Sequence, residues 1–201
     1  MELYIIRHGE TDWNKQKKLQ GQCNTTLNDY GRELAVITGE ALKDIKFDYA
    51  YSSPLDRALE TANLILGKDR NLTVITDDRL KEISFGEYEG VPAEKMPEDF
   101  HYFFDKPEEY RAPEGGETYA ELCARTLDFL DNVIRPLSLS EPDARVVIFG
   151  HGAMNRSIMV NLQNLEIKDM WSGVFQRNCC VNIFEINGYD STLIQNGKIY
   201  Y

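Results

Sequence analysis

The chain lacks the features that would place it in a membrane or export it from the cell. No apolar run among its 201 residues approaches the length needed to cross a bilayer. The first residues lead directly into a short strand-like segment with an acid at position 2, which is not the pattern of a secretory signal. We therefore expect a cytoplasmic protein without a membrane partner.

Cysteine is scarce, and its spacing suits neither zinc nor a disulfide framework. The chain has no C-x-x-C pair, whereas structural zinc sites use closely spaced thiolates. Two of the cysteines are adjacent, and neighbours on a strand would point to opposite faces, which makes them poor partners for each other. We expect reduced thiols and no metal site. The cysteines are Cys23, Cys123, Cys179 and Cys180.

Basic residues are also too few for a nucleic-acid partner. Lysine and arginine number 22 against 33 acids, so the net charge is −11. Because phosphate backbones need a basic surface, we expect no nucleic acid to bind. The acidity is best explained as a solubility feature. Any anion site in such a chain must gather its cations in one pocket.

Apolar runs of strand length alternate with helical patterns along the whole chain. Short runs bounded by glycine or polar residues suit strands buried on both faces. The last two runs flank Asn187-Gly188 and predict a hairpin at a sheet edge, where a second copy could pair to form a homodimer. We expect one α/β domain over residues 1–201, a three-layer α/β/α sandwich with a mostly parallel central sheet and an antiparallel edge strand. The candidate strands are residues 3–6, 47–51, 72–75, 146–149, 181–186 and 192–194.

Local signals predict where the helices between these strands begin and end. Asn28 is a good N-cap for a first helix, and Ser53 before Pro54 predicts the start of a second. Residues 118–121 form a capping box that opens a third helix, which we expect to end near Pro136. The expected apolar stripes are Tyr30, Leu34, Ile37, Ala41 and Ile45 on the first helix; Leu55, Ala58, Leu59, Ala62 and Ile65 on the second; and Cys123, Leu127, Leu130 and Ile134 on the third.

Charged side chains follow each of the predicted parallel strands. Open α/β sheets bind ligands outside the carboxyl ends of these strands, so the side chains should share one rim. Arginine forks match phosphate oxygens, a neutral imidazole nitrogen can attack phosphorus, and a carboxyl group can protonate a leaving oxygen. The rim residues are Arg7 and His8 after the first strand, Arg57 after the second, Glu82 after the third, and His151 after the fourth, where Gly152 opens another helix.

The segments that carry these residues resemble the signature of the histidine phosphatase superfamily, which contains the cofactor-dependent phosphoglycerate mutases. The matching segments cover nearly the whole chain in the right order. They are RHGET at residues 7–11, WN at 13–14, QG at 20–21, LN at 27–28, GR at 31–32, SSP at 52–54, RA at 57–58, TA at 61–62, LKE at 80–82, FG at 85–86, EG at 89–90, GGET at 115–118 and GHG at 150–152.

The resemblance implies a phosphoglycerate mutase-like fold and a metal-free, cofactor-free phosphoryl transfer in two steps. His8 would be the nucleophile that becomes phosphorylated, and Glu82 would protonate the leaving group and then activate water. Arg7, Arg57 and His151 would hold the phosphoryl oxygens and stabilise the transferred charge. Further substrate contacts would come from Asn14, Gln20, Gly21 and Gly152.

Several of these residues also have a structural interpretation that the sequence leaves open. His8 could be a core histidine satisfied by the backbone, and His151 a turn residue between glycines. Arg57 could form a surface ion pair with Glu60 on its own helix. Arg156 is expected to be an ordinary charge on a helix surface, although it could reach the pocket.

Residues 83–116 show no clear periodicity and are rich in acids, aromatics and prolines. We expect a lid-like excursion from the core with short helices. Glu87 and Glu89, near its start, compete with Glu82 for the role of acid, and His101 is expected to be a surface or lid residue without chemistry. The aromatic run either pins the lid to the core, which we favour, or offers rings to the non-phosphate part of a substrate. The run is Phe100, Tyr102, Phe103 and Phe104.

Three functions would share this pocket: a phosphomonoester hydrolase, a phosphoglycerate mutase, and a phosphate-binding module without catalysis. Mutases of the family carry a lysine and paired arginines where this chain has Lys95, Lys106 and Arg111 among many acids. A bisphosphate would meet too few cations there, so we expect a phosphatase for small phosphorylated metabolites. An α-ribazole phosphatase is one specific form of this hypothesis, and a mutase is the alternative to it.

Overall fold

The computed structural model describes residues 1–67 and 72–201, which contain a six-stranded sheet. Its strands are β1 (Glu2–Arg7), β2 (Tyr49–Ser52), β3 (Val74–Thr76), β4 (Arg145–Gly150), β5 (Val181–Asn187) and β6 (Asp190–Lys198). They lie in the order β3-β2-β4-β1-β5-β6. The first four strands pair in parallel, and β5 and β6 add antiparallel pairings at one edge. The predicted mixed sheet with its edge hairpin is confirmed.

Helices cover both faces of this sheet. The α-helices are α1 (Asp12–Lys15), α2 (Asp29–Ala41), α3 (Asp56–Leu66), α4 (Tyr102–Asp105), α5 (Tyr119–Phe129), α6 (Arg135–Ser140) and α7 (Gly152–Gln163). In β1, Leu3 and Ile5 pack in the same core cluster as residues of α5 and α7, whereas Tyr4 and Ile6 pack with α2 and α3. Strands buried on both faces make the predicted three-layer sandwich. Within the described residues, no helix has the length and hydrophobicity needed to span a membrane.

Parallel pairing brings distant segments of the chain together at one edge. Arg7, the last residue of β1, pairs with Gly150, the last residue of β4. Ser52, which ends β2, pairs with Phe149 of β4. The backbone N–H of His8 donates to Gly150 O at 2.9 Å. The residues that follow these three strands are therefore neighbours in space.

The first long helix buries a different face from the one predicted. Asn28 caps α2 as expected, but Tyr30 is half exposed and Ile45 lies beyond the end of the helix. A Cβ atom at Gly39 would lie 2.9 Å from Ile65 Cα, so small residues let α2 and α3 approach closely. Large apolar residues are a poor marker of such a contact. The buried residues are Gly31, Leu34, Ala35, Thr38 and Gly39.

The start of α3 also differs from the prediction. The helix begins at Asp56, and both Ser53 and Pro54 precede it. Ser53 Oγ accepts only a hydrogen bond of 3.3 Å from Leu55 N, whereas Asn24 Oδ1 accepts one of 2.8 Å from Asp56 N. Because the group that satisfies the helix start comes from a distant loop, the local sequence could not place it.

The third predicted helix has the expected start and a different end. Its capping box is present, but the chain remains helical through a π turn at Leu130–Ile134 and then through α6. Pro136 is the second residue of α6 and lies just after the π turn, so the chain passes through this proline without leaving the helix. The expected end near Pro136 is therefore wrong. The predicted stripe is right for Leu130 and Ile134, which are fully buried, and wrong for Leu127, which is exposed. The residues that α5 itself buries are Tyr119, Leu122, Thr126 and Phe129.

Residues 83–116, for which the sequence predicted a lid-like excursion, contain several short helices. Besides α4 they contain 3₁₀ helices at Gly86–Tyr88, Ala93–Lys95, Glu98–His101 and Pro107–Glu109. Phe100 and Phe103 are buried in the core, which agrees with the favoured interpretation that the rings pin this segment down. Phe104, in contrast, is half exposed.

Cys179 and Cys180 lie just before β5, outside the strand, as its predicted range of 181–186 implies, and Cys179 has a φ angle of +53°. Both are buried, and all four cysteines in the chain are free. Burial raises the pKa of the Cys179 thiol to about 12 and that of Cys180 to about 11. These thiols are therefore protonated and unreactive at neutral pH.

Candidate active site

A cavity of about 600 Å³ opens where the segments after β1, β2 and β4 meet. Every residue that the sequence predicted for the site lines it, except His151. The residues that do are Arg7, His8, Asn14, Gln20, Gly21, Arg57, Glu82 and Gly152. Residues from segments far apart in the sequence therefore share one cavity.

His8 follows β1 directly and is almost fully buried. Its Nδ1 lies 2.7 Å from Gly9 O. A carbonyl oxygen only accepts hydrogen bonds, so Nδ1 carries the proton and Nε2 keeps its lone pair. Burial, together with the positive charges of Arg57 and Arg7, holds the pKa of His8 well below its usual value. The ring is therefore neutral at physiological pH.

His151 lies beside His8, and its side chain is fully buried. The ring centroids of the two histidines are 5.2 Å apart. Within the described residues, neither ring nitrogen of His151 has a hydrogen-bond partner. Burial and then the charge of Arg57 lower the pKa of His151 well below its usual value, so this ring is also neutral. A neutral imidazole presents one donor N–H and one acceptor nitrogen to a ligand.

Arg57 lies in the first turn of α3 with its guanidinium fully buried. Its Nη1 donates to Cys23 O at 2.8 Å, and its Nη2 donates to Gly21 O at 2.7 Å. Burial lowers the pKa of Arg57 to about 10, which leaves it charged at neutral pH. Glu60 accepts instead from Arg32 at 2.6 Å, so the proposed surface ion pair of Arg57 with Glu60 is wrong.

Arg7 and Glu82 face the start of α7 from two sides. Arg7 Nη1 donates to Gln176 O at 2.5 Å, and its Nε has no protein partner in the part of the chain that is described. A Cβ atom at Gly152 would lie 3.5 Å from Glu82 Oε2 and 3.8 Å from Arg7 Nε. Glycine at this position therefore leaves room for a ligand between the two side chains.

The Glu82 carboxyl group is held by the first turn of α7. Its Oε1 accepts from Met154 N at 2.9 Å, and its Oε2 accepts from Ala153 N at 3.2 Å. Glu87 and Glu89 do not line the cavity. Glu89 Oε1 instead accepts hydrogen bonds from two backbone N–H groups, at 2.8 and 3.1 Å. Of the three candidate acids, only Glu82 is placed to reach a ligand.

The side-chain amides of Asn14 and Gln20 are oriented by threonine. Thr11 N donates to Asn14 Oδ1 at 3.1 Å, and Thr11 Oγ1 donates to Gln20 Oε1 at 2.9 Å. Thr25 Oγ1 also donates to Gln20 Oε1, at 2.7 Å. Because these contacts use the amide oxygens, the NH₂ groups are the donors left for a ligand. Gly21, with φ +49°, continues this wall.

Sequence reasoning missed the residues that hold the backbone of Glu82. Arg125 Nη2 donates to Glu82 O at 3.0 Å, and Arg125 Nε pairs with Glu117 at 2.6 Å. Gln22 Nε2 donates to the same carbonyl at 3.1 Å. Neither residue belongs to a recognisable local pattern, and only the pairing of segments far apart in the sequence gives them this role.

The interpretation of Arg156 as a helix-surface charge is wrong. Arg156 is 3% exposed and burial lowers its pKa. It does not line the cavity. Its Nε donates to Met170 O at 2.5 Å and its Nη2 to Asp169 O at 3.3 Å. The segment after α7 folds back over this side chain, so Arg156 fixes the loop that carries Trp171.

The described part of the chain places no metal site beside these groups. Across residues 1–67 and 72–201, no group of three or more histidine, cysteine, aspartate or glutamate side chains is arranged to hold a metal ion. The chemistry that the arrangement supports is that of a neutral nucleophilic imidazole beside two guanidinium groups and a carboxyl group. That combination fits the transfer of a phosphoryl group.

Comparison with known proteins identifies the class. Residues 3–197 match the family model of the histidine phosphatase superfamily, branch 1, and the chain belongs to that superfamily. It is 36% identical over 162 residues to phosphoglycerate mutase-like protein 4 of Arabidopsis thaliana, covering 78% of this chain and 69% of that protein. It is 34% identical over 166 residues to the metal-independent phosphoserine phosphatase of the same plant, covering 80% and 68%.

Solved structures agree with the sequence relatives. Bacillus stearothermophilus YhfR superposes with a TM-score of 0.89 at 28% identity, covering 98% of this chain and 97% of that one. The expected family and the phosphoglycerate mutase-like fold are therefore confirmed. The protein is a phosphatase of the histidine phosphatase superfamily.

Proposed function

We propose that this phosphatase hydrolyses small phosphomonoesters in two steps, through a phosphohistidine formed at His8. The observation that carries the proposal is the hydrogen bond of 2.7 Å between His8 Nδ1 and Gly9 O. It leaves the unprotonated Nε2 as the nucleophile, beside Arg7 and Arg57 in the same cavity. An unprotonated imidazole nitrogen flanked by fixed positive charges suits attack on a phosphoryl group.

In the first step, the lone pair of His8 Nε2 forms a bond to phosphorus while the bond from phosphorus to the alcohol oxygen breaks. Glu82 donates a proton to that oxygen, and a neutral alcohol leaves. In the second step, a water oxygen attacks phosphorus and Glu82 takes a proton from it. The bond between Nε2 and phosphorus breaks, which returns neutral His8 and releases inorganic phosphate.

The remaining site residues would bind the phosphoryl oxygens and position the substrate. Arg7 and Arg57 supply guanidinium donors whose Nε atoms have no partner among the described residues, and His151 supplies an imidazole N–H. Asn14 adds its amide N–H groups. Contacts to the rest of the substrate would come from Gln20, Gly21 and Gly152, which line the same cavity.

The cations around the cavity support a hydrolase over a phosphoglycerate mutase. Lys95, Lys106 and Arg111 do not line the cavity. The lysines that do are Lys17 and Lys18, on the segment after α1. A bisphosphate cofactor and a substrate carboxylate would need more fixed positive charge than this. Phosphoserine, which one plant relative is named for, and α-ribazole phosphate are two candidate substrates.

The test is to trap the intermediate. The protein is mixed with a ³²P-labelled ester, quenched in base within milliseconds, and digested for mass spectrometry. We expect acid-labile phosphate on His8, and loss of both label and turnover in His8→Asn. Leu139→Ala, which changes an exposed side chain away from the cavity, is the control and should keep both. Full turnover in His8→Asn would refute the proposal, and isomerisation of 3-phosphoglycerate without phosphate release would favour a mutase.

A further inference from the structure

The outer wall of the cavity is apolar and aromatic, in contrast to its charged floor. Two of its rings are unusually exposed for their size: Phe104 is 49% and Phe175 is 68% exposed. Large apolar side chains left open at the mouth of a cavity indicate a surface that binds something. The aromatic residues of this wall are Phe85, Phe100, Phe103, Phe104, Trp171 and Phe175.

One side of this wall is rigid. The rings of Phe104 and Trp171 lie with their centroids 5.1 Å apart, inclined at 47°. Trp171 Nε1 donates to Phe103 O at 2.7 Å and lies 2.8 Å from Tyr119 Oη. The buried Arg156 holds the backbone of the same segment through Met170 O. These contacts fix the orientation of the Trp171 ring without any ligand.

The other side is tied to the phosphate end of the cavity. Phe175 directly precedes Gln176, whose carbonyl accepts from Arg7 Nη1 at 2.5 Å. Gln176 is itself buried and bonded to Asn182 at 2.7 Å. The exposed ring of Phe175 is therefore attached to the residue that positions a phosphoryl-binding arginine. A phosphoryl group held by Arg7 would place its alcohol within reach of this ring.

Fixed positive charge is sparse along the same wall. Beyond Arg7 and Arg57, the lysines on the described cavity lining are Lys17, which is exposed, and Lys18, whose ammonium lies 5.8 Å from the Trp13 ring centroid. Glu98 contributes a negative charge. An alcohol that carries a carboxylate would find no buried guanidinium there, whereas a planar apolar group would find rings on two sides.

We propose that the preferred substrates are phosphomonoesters whose alcohol carries a planar apolar ring, and that Phe104 and Phe175 are the residues that select it. The proposal rests on the proposed function, since it concerns the non-phosphate part of the same substrate. The ring would pack between Phe104, Trp171 and Phe175 while its phosphoryl group lies between Arg7 and Arg57.

The first experiment compares two alkyl esters of similar chemical reactivity, 2-phenylethyl phosphate and n-propyl phosphate. Both release a primary alkyl alcohol, so a difference in rate reports binding of the ring and not leaving-group ability. Burying a phenyl ring should raise kcat/KM by at least about 10-fold. O-phosphoserine and 3-phosphoglycerate, measured alongside, should fall below the phenylethyl ester. A ratio near 1, or a preference for either carboxylate ester, would overturn the proposal.

The variants Phe104→Ala and Phe175→Ala should each lower the ratio of kcat/KM for the phenylethyl over the propyl ester by about 3-fold or more. Leu139→Ala is the control, because Leu139 is 67% exposed and does not line the cavity. It should leave the ratio and both rates as in the parent protein. An unchanged ratio in both phenylalanine variants would show that these rings do not select the substrate.

A binding measurement separates this proposal from the proposed function. Trp171 lines the cavity and the other tryptophan, Trp13, does not. In a Trp13→Phe background, 2-phenylethylphosphonate should change the fluorescence of Trp171 and bind at least about 10-fold tighter than propylphosphonate. If no ester is hydrolysed but the phosphonates differ in this way, the proposed function fails and the ring site stands. If all esters are hydrolysed at similar rates and the phosphonates bind equally, only the ring site fails.

Discussion

The buried histidines should make the protein measurably less stable in mild acid. His8 and His151 are neutral in the folded protein because burial and nearby arginines lower the pKa of each ring well below its usual value. In the unfolded chain both rings regain an ordinary pKa of about 6.5. Below that pH the unfolded chain binds protons that the folded chain does not, so the free energy of unfolding falls as the pH falls.

The size of the effect follows from proton linkage. Between pH 7.5 and pH 5.5, a histidine that stays neutral when folded and titrates near 6.5 when unfolded costs about 1.4 kcal/mol of stability. The two rings together should cost about 2.7 kcal/mol over this interval. The loss begins near the unfolded pKa and continues downward until the folded rings accept protons.

The assay is urea unfolding at both pH values in buffers without phosphate, since an oxyanion bound by the arginines would shift the equilibrium. His8→Gln and His151→Gln should each reduce the loss of stability between the two pH values by about 1.4 kcal/mol, and the double variant by about 2.7 kcal/mol. His101→Gln, at an exposed histidine, is the control. A loss that is the same in the parent protein and the double variant would refute the argument that these rings are held neutral.

The remaining predictions concern catalysis. Arg57→Met should lower kcat/KM for any ester that the parent protein hydrolyses by about 100-fold or more, because a buried positive charge beside the reacting phosphoryl group is lost; an effect below about 10-fold would argue against direct contact. Glu82→Gln should lower kcat by about 100-fold or more for alkyl esters and much less for p-nitrophenyl phosphate, whose leaving group needs no proton; equal losses would contradict the role of acid. Prolonged dialysis against a chelator should leave the rates unchanged, and inactivation that added metal reverses would contradict a metal-free reaction.

Much of the fold and site could be predicted because both depend on patterns that are local in the sequence. The buried strands appear as short apolar runs, and parallel pairing then brings their carboxyl ends to one edge whatever lies between them. Arg7 and His151 are far apart in the chain, yet the register that pairs Arg7 with Gly150 makes them neighbours. The types of residue that follow each parallel strand were therefore enough to predict which side chains meet at this edge of the sheet.

The predictions that failed depend on contacts between distant segments. The start of α3 is set by Asn24, and the close contact of α2 with α3 is made by Gly39, so neither shows in the local apolar pattern. Arg156 and Arg125 look like helix-surface charges until the segments that cover them are in place. Supporting residues of this kind are invisible to periodicity because their partners are backbone carbonyls, which every sequence offers.

Burial gives the two kinds of group in this site opposite properties, and both suit phosphoryl transfer. The same loss of solvent that lowers the pKa of His8 makes its ring neutral and nucleophilic, whereas Arg57, with a pKa lowered only to about 10, remains a cation. A single desolvated cavity therefore holds a neutral attacking nitrogen next to a permanent positive charge. The net charge of −11 does not oppose this arrangement, because surface charges are screened within about 8 Å at physiological salt whereas buried guanidinium groups act on a ligand at contact. An acidic protein can thus bind a phosphate ester as long as its few site cations are buried, as Arg57 is.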